Sequence, residues 1–272
     1  MRVFTIPIVA SLFGACSSMV LAEPRVLVSP YLAVYQLRGD IAMQSQPSPG
    51  SPLQDNAAQT LLTFGQDHHH EDIGVRADIG DGFGGIRIDY YKLDMNTSRT
   101  GVIDADWGRL LAGDEVRMRA DMDELRLGYL EPLGTVRTTY RDRPLALRFA
   151  VGGVLAHRDL SLQARTVDGA RTQNVEIDGD VLYAAARLQA TWRDFAFDAD
   201  YAASPEIVLS GDFEDLLQDL ELRASYTMPL HDVTFFAGYR LSALTAKGDA
   251  NGFGYDADLT IDGFQFGLSV TF

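Results

Sequence analysis

The chain has 272 residues, a formal net charge of −15 and 46 % hydrophobic residues, too apolar for a disordered chain and long enough for one large or two small domains. Asp and Glu outnumber Lys and Arg by 38 to 23, which argues against nucleic acid as a partner, because phosphates must be met by cations. The single cysteine excludes a disulfide framework or a thiolate metal site, and no apolar run is long enough for a transmembrane helix.

Residues 1–22 read as a cleavable signal peptide. Arg2 leads an apolar stretch from Val3 to Ala15, and Val20-Leu21-Ala22 supplies the small residues of a cleavage site, leaving Glu23 as the new N-terminus. The alternative is acylation at Cys16, after a Phe13-Gly14-Ala15 sequence that is a poor lipobox. Residues 23–272 then form one β-barrel domain.

Downstream the apolar pattern has period two. Leu182, Ala184, Ala186, Leu188, Ala190 and Trp192 share one face; Tyr183, Ala185, Arg187, Gln189 and Thr191 share the other. Ten such segments are expected: 25–37, 71–80, 83–94, 122–133, 144–157, 180–193, 195–203, 218–229, 232–245 and 261–272, with eight or twelve as the alternatives. Short connections alternate with long acidic ones at 38–70, 95–121, 158–179, 204–217 and 246–260. That rhythm belongs to an antiparallel up-and-down sheet with one tight end and one looped end. An even strand number puts both termini at the tight end. Alternation over 116–122 and 160–164 suggests that two hairpins rise past the others through bulges near Asp123-Glu124 and His157.

Three architectures fit period two: a soluble lipocalin-like barrel with an apolar interior, a β-sandwich, and a transmembrane barrel with apolar residues toward lipid. The polar faces favour the last. Arg76, Asp78, Arg87, Asp89, Arg148, Arg187, Asp198, Asp200, Glu221, Arg223 and Arg240, together with Glu124 and Arg126, mix both signs as an ion-paired lumen requires. Trp192 and Phe195 flank a tight turn, and Tyr129, Tyr201 and Tyr226 stand on the apolar register, as an interfacial girdle does.

The final strand alternates through Phe264, Phe266, Leu268 and Val270 to a terminal Phe272. This resembles the C-terminal assembly signal of bacterial outer-membrane β-barrel proteins. The resemblance implies an outer-membrane location, contact with membrane lipid and lipopolysaccharide, and recognition of that strand by the barrel-assembly machinery. Ten strands leave at most a plugged or very narrow interior. More than half of the mature chain then lies in loops and turns, where an extracellular ligand would meet acidic residues such as Asp212, Glu214, Asp215 and Asp219, opposite Arg137, Arg141 and Arg143 at the tight end.

Two metal sites are candidates, although no cofactor is required. His68-His69-His70, beside Asp67, Glu71 and Asp72, offers imidazole and carboxylate ligands, of which His68 and His70 fall on one side of an extended chain. Asp249, Asn251, Asp256 and Asp258 around Gly252 offer the hard oxygens that calcium favours. An enzyme is the rival class: ten strands is the number in omptin proteases, and Asp104-Ala105-Asp106 with His157-Arg158-Asp159 is superficially similar to their catalytic groups. Both pairs sit poorly, the aspartates mid-loop and His157 on the lipid-facing register. The sequence therefore points to a non-enzymatic structural, surface-interaction or narrow-pore role.

Overall fold

A computed structural model describes residues 25–272 except 47, 49, 67, 205–207, 215, 216, 230 and 231; the expected signal peptide, Cys16, Asp67 and Asp215 lie outside the described residues. Ten long strands follow in chain order: β1 Arg25–Met43, β2 His70–Gly80, β3 Gly85–Asn96, β4 Glu115–Tyr140, β5 Arg143–Thr166, β6 Thr172–Trp192, β7 Phe195–Ser204, β8 Leu217–Thr227, β9 Val233–Ala250 and β10 Phe253–Thr271. Each pairs antiparallel with the next. β10 also pairs with β1, from Leu27 opposite Thr271 to Met43 opposite Tyr255, so the sheet closes into an up-and-down barrel. Closure leaves the membrane-level backbone without a free edge.

The tight end carries residues 81–84, Arg141-Asp142 and Arg193-Asp194, together with Met228, Pro229 and Asp232 between β8 and β9. Arg141, Asp142 and Arg193 adopt positive φ (50°, 57° and 56°), as two-residue hairpin turns demand. Aromatic rings collect there: Tyr140 lies edge-on to Trp192 at 6.2 Å, and Phe195 lies 5.1 Å from Tyr226. The girdle expected from the sequence is thus present, and Tyr129, Tyr201 and Tyr226 all face outward.

Several expected boundaries are corrected. The segments 158–179 and 246–260 are not long loops. They are the upper halves of β5–β6 and β9–β10, joined by residues 167–171 and by Asn251-Gly252. The connection at 133–144 is likewise hairpin, with one register shift between Pro132 and Gly134. The bulges expected near Asp123-Glu124 and His157 are absent, since β4 and β5 stay in register from Val116 opposite Thr166 to Pro132 opposite Ala150. What changes is polarity. Above Leu125 and Leu155 the inward residues turn apolar and the outward ones polar, so the apolar pattern switches faces while the chain does not.

The barrel therefore has two zones. In the lower zone apolar residues face out: Leu125 and Leu127 on β4, Phe149 and Val151 on β5, Leu182 and Leu188 on β6, Phe264 and Phe266 on β10. On β6 this belt runs from Leu182 to Trp192, a height of ~25 Å at a rise of ~3.3 Å per residue and a tilt of ~40°. A lipocalin-like arrangement is contradicted at this level. In the upper zone the order is that of a water-soluble barrel, with Met118, Ala120, Met122, Leu160, Leu162, Val175, Ile177 and Leu259 buried inside.

Candidate functional site

The lower zone encloses a charged lumen. Inward positions on eight strands, β2 to β9, bring together seven guanidinium groups, Arg76, Arg87, Arg126, Arg158, Arg187, Arg223 and Arg240, with seven carboxylates, Asp78, Asp89, Glu124, Asp198, Asp200, Asp219 and Glu221. Near the tight end Arg87 bridges Asp78 at 2.6 Å and Asp200 at 3.0 Å, and Arg187 meets Asp200 at 2.5 Å. Arg223 reaches Asp198 at 3.3 Å. Arg76 spans the barrel, donating to Asp89 at 2.9 Å and to Glu221 at 2.7 Å. Above them Glu124, with no exposed side-chain surface, takes Arg126, Arg158 and Arg240, while Asp219 takes Arg126 at 2.5 Å and Arg158 at 3.0 Å. Buried ions of this kind persist only when paired and hydrogen-bonded. Tyr31 supplies one such bond to Asp89 and Tyr183 accepts another from Arg158. The lumen contributes no net charge, so the acidic excess of the chain lies outside it.

All eleven lumen residues expected from sequence parity face inward. Arg148 sits lowest, paired with Asp81 at the tight-end mouth and lying 4.3 Å over the ring of Phe83. Two members were missed. Arg158 was grouped with a hydrolase-like triplet and Asp219 with the acidic loops. Strand parity carried the signal for both: 219 shares its side with Glu221 and Arg223, and 158 shares its side with Arg148.

The lumen is stoppered at both ends. Below, Phe83 folds in from the β2–β3 turn and packs with Leu130 and Ala150. Above, two insertions enter the barrel. Gln59–Thr60 pairs with β1 opposite Ile41 and Asp40, and Gly101–Val102 pairs with β4. Leu61, Phe64, Ile103, Trp107 and Leu110 from these insertions complete the upper core, with Phe64 edge-on to Trp107 at 5.0 Å. Gln59 joins the insertions by donating to the Ala105 carbonyl (2.5 Å) and accepting from the Asp104 amide (3.0 Å). Within the charged network the free space is a cavity of about 70 Å³, lined by Arg76, Arg87, Arg126, Arg240 and their partners.

The other candidates are dispersed. Asp104 and Asp106 belong to the upper insertion, where Asp106 accepts from the Ala112 amide. His157 faces out from β5 and meets Asp180 at 3.0 Å, and Asp159 also faces out. The two pairs do not share a cleft, so the hydrolase-like grouping is not assembled. Asn251 and Gly252, at φ 59° and 84°, form a hairpin turn that Asp249 closes by accepting from Gly252. Asp256 is engaged by Lys247 at 2.9 Å, and Asp258 lies opposite Thr245. His68 and His70 lie at the upper end of β2, where burial lowers the His70 pKa. Among the described residues no three His, Cys, Asp or Glu side chains converge on a metal position. The assembly-strand residues Phe264, Phe266, Leu268 and Phe272 are exposed on the outer wall, with Val270 partly covered.

No known family profile matches the chain, and no curated protein matches it. Among solved structures, the attachment invasion locus protein Ail of Yersinia pestis aligns at 8 % identity and TM-score 0.29, covering 90 % of this chain and 100 % of that one. A FadL homologue of Pseudomonas aeruginosa aligns at 10 % identity and TM-score 0.31, over 92 % and 90 %. The P. putida toluene transporter TodX aligns at 10 % identity and TM-score 0.26, over 93 % and 91 %. Likeness this low carries no function across. The closed ring, the outward apolar belt and the ion-paired interior are the chain's own, and by them it is an up-and-down β-barrel of the transmembrane type.

Proposed function

We propose that the chain is a non-enzymatic surface-interaction protein of the outer membrane, closed to solutes, with its tight turns and both termini in the periplasm. One observation carries the reading. The charged lumen lies beneath an upper core whose central residues, Trp107 and Phe64 among them, are wholly buried. A permeation route would have to break both layers at once, and interior salt bridges cost several kcal/mol to open one-sidedly, about 3–5 each. Strands β4 to β6, β9 and β10 continue past the belt, which is more ordered structure than a membrane anchor requires and suits a rigid platform for contacts outside the cell. Cationic or divalent-bridged ligands suit the acidic outer wall, and the exposed Phe264 to Phe272 strand suits recognition during assembly. The test is planar-bilayer conductance of the refolded protein, with heat-modifiable gel mobility as proof of folding. A folded barrel without current is expected; discrete, salt-dependent steps overturn closure in favour of a narrow pore.

A further inference from the structure

Arg117 on β4 and Arg165 on β5 are directly opposite each other on the outer face of the upper zone, and both are exposed. Like charges in directly opposed strand positions repel. The arginines of the lumen are each matched by carboxylates, yet neither Arg117 nor Arg165 has a hydrogen bond or ion pair among the described residues. The Arg165 guanidinium is nevertheless placed. It lies against the tip turn at Gly169, where a Cβ would come within 2.4 Å of Nη2, so the missing side chain at that residue makes its seat. One row nearer the membrane the same face carries Arg119 opposite Gln163, and Gln163 donates to Asn174 at 3.2 Å. Neighbouring carboxylates are engaged: Glu115 accepts from Thr100, Asp121 accepts from Arg119, and Asp168 in the tip turn accepts from Thr166 and the Ala170 amide. The result is a donor-rich patch on a chain whose net charge is −15.

We infer that Arg117 and Arg165 form a clamp for a phosphate ester carried on a saccharide. Two guanidinium forks side by side match the three oxygens of such a group, and the anion removes the repulsion that the bare pair suffers. Height selects the source. Arg117 stands eight residues above Leu125, the last outward apolar residue of β4, which is ~20 Å at ~3.3 Å per residue and a ~40° tilt. That is above the lipid headgroups and level with the sugars of the outer-leaflet glycolipid, so the clamp takes phosphorylated core sugars of the membrane around it. The inference rests on the outer-membrane orientation proposed above but not on closure of the lumen, and a conducting barrel would leave it standing.

The experiment titrates folded protein in detergent micelles with phosphorylated core oligosaccharide released from lipopolysaccharide. Its enzymatically dephosphorylated form and a soluble sulfated polysaccharide are run in parallel. Affinity should fall about tenfold or more for each of Arg117→Gln and Arg165→Gln, as expected for a lost charge-assisted contact. Dephosphorylation should produce the same loss, and Arg137→Gln at the tight end should change nothing. Heat-modifiable mobility checks that each variant is folded. Unchanged affinity in the double variant, or equal binding of the dephosphorylated sugar, overturns the clamp. Tighter, Arg117-dependent binding of the sulfated polymer overturns the membrane source.

Discussion

Met122 and Arg126 point into the same barrel from one uninterrupted strand, four residues apart, and the border between an apolar and a charged interior falls between them. On the outer face of that strand the change runs the other way, from Asp121 and Asp123 to Leu125 and Leu127. The strand is the same; its surroundings differ. Below the border the outside is lipid, so polar groups retreat inward. Above it the outside is water, so they come out and the apolar set takes the core.

That inversion makes an arginine introduced at two heights on the outer face of β6 differ in its effect. Leu188→Arg places a charge in the outward belt and should destabilise the barrel by about 2–4 kcal/mol. Asp178→Arg, ten residues higher, replaces a carboxylate that lies directly opposite Asp159, itself opposite Asp123. Relief of that row should leave stability unchanged or raise it by about 0.5–1 kcal/mol. Urea unfolding in lipid vesicles, followed by tryptophan emission, checks both. Equal losses would mean that the border is misplaced.

Glu124 is the keystone of the upper ion layer, because three guanidiniums close on one carboxylate that has no exposed surface. Glu124→Gln should cost about 3–5 kcal/mol by leaving buried positive charge uncompensated. Arg223→Gln, whose contact with Asp198 is longer and nearer the tight end, should cost less. Both are read from the urea midpoint of heat-modifiable mobility.

Strand number, the closing pair and the lumen residues were legible because a barrel wall imposes strict period two, and parity alone assigns the side of the wall. The lengths of β4, β5, β6, β9 and β10 were less legible. Asp178, Asp180, Asp256 and Asp258 make their segments look like acidic loops, although their sequence neighbours Ile177, Val181, Ala257 and Leu259 are buried in strict alternation with them. A polarity reversal at constant period mimics a bulge in sequence. The insertion carrying Trp107 was illegible, since residues that enter a barrel from above need share no periodicity with its wall.

Trp107 reports on that insertion. Its ring is wholly buried in the upper core, edge-on to Phe64 and bridged to Leu110. Trp107→Ala should destabilise the upper core by about 3–5 kcal/mol through lost contacts and the cavity left behind. The belt should stay intact. Hydrogen exchange should therefore rise along 97–114 and the upper parts of β3 and β4, with β7 and β8 still protected. Uniform loss of protection would show that the two zones unfold as one unit.

His70 gives the insertion a pH dependence. Its pKa is lowered chiefly by burial, with the neighbouring imidazoles of His68 and His69 adding to the shift against the opposing pull of Asp94. A histidine that is harder to protonate when folded binds more protons unfolded, so folding is favoured above the ordinary histidine range and loses support as pH falls through about 6.5. The neutral ring lies where β1 meets β2, opposite Tyr35. Lowering pH from 7.5 to 5.5 should accelerate hydrogen exchange at the upper end of β2 and in residues 61–66, while β7 and β8 stay protected. His70→Gln should flatten that response, and a response of equal size in the variant would assign it to another group.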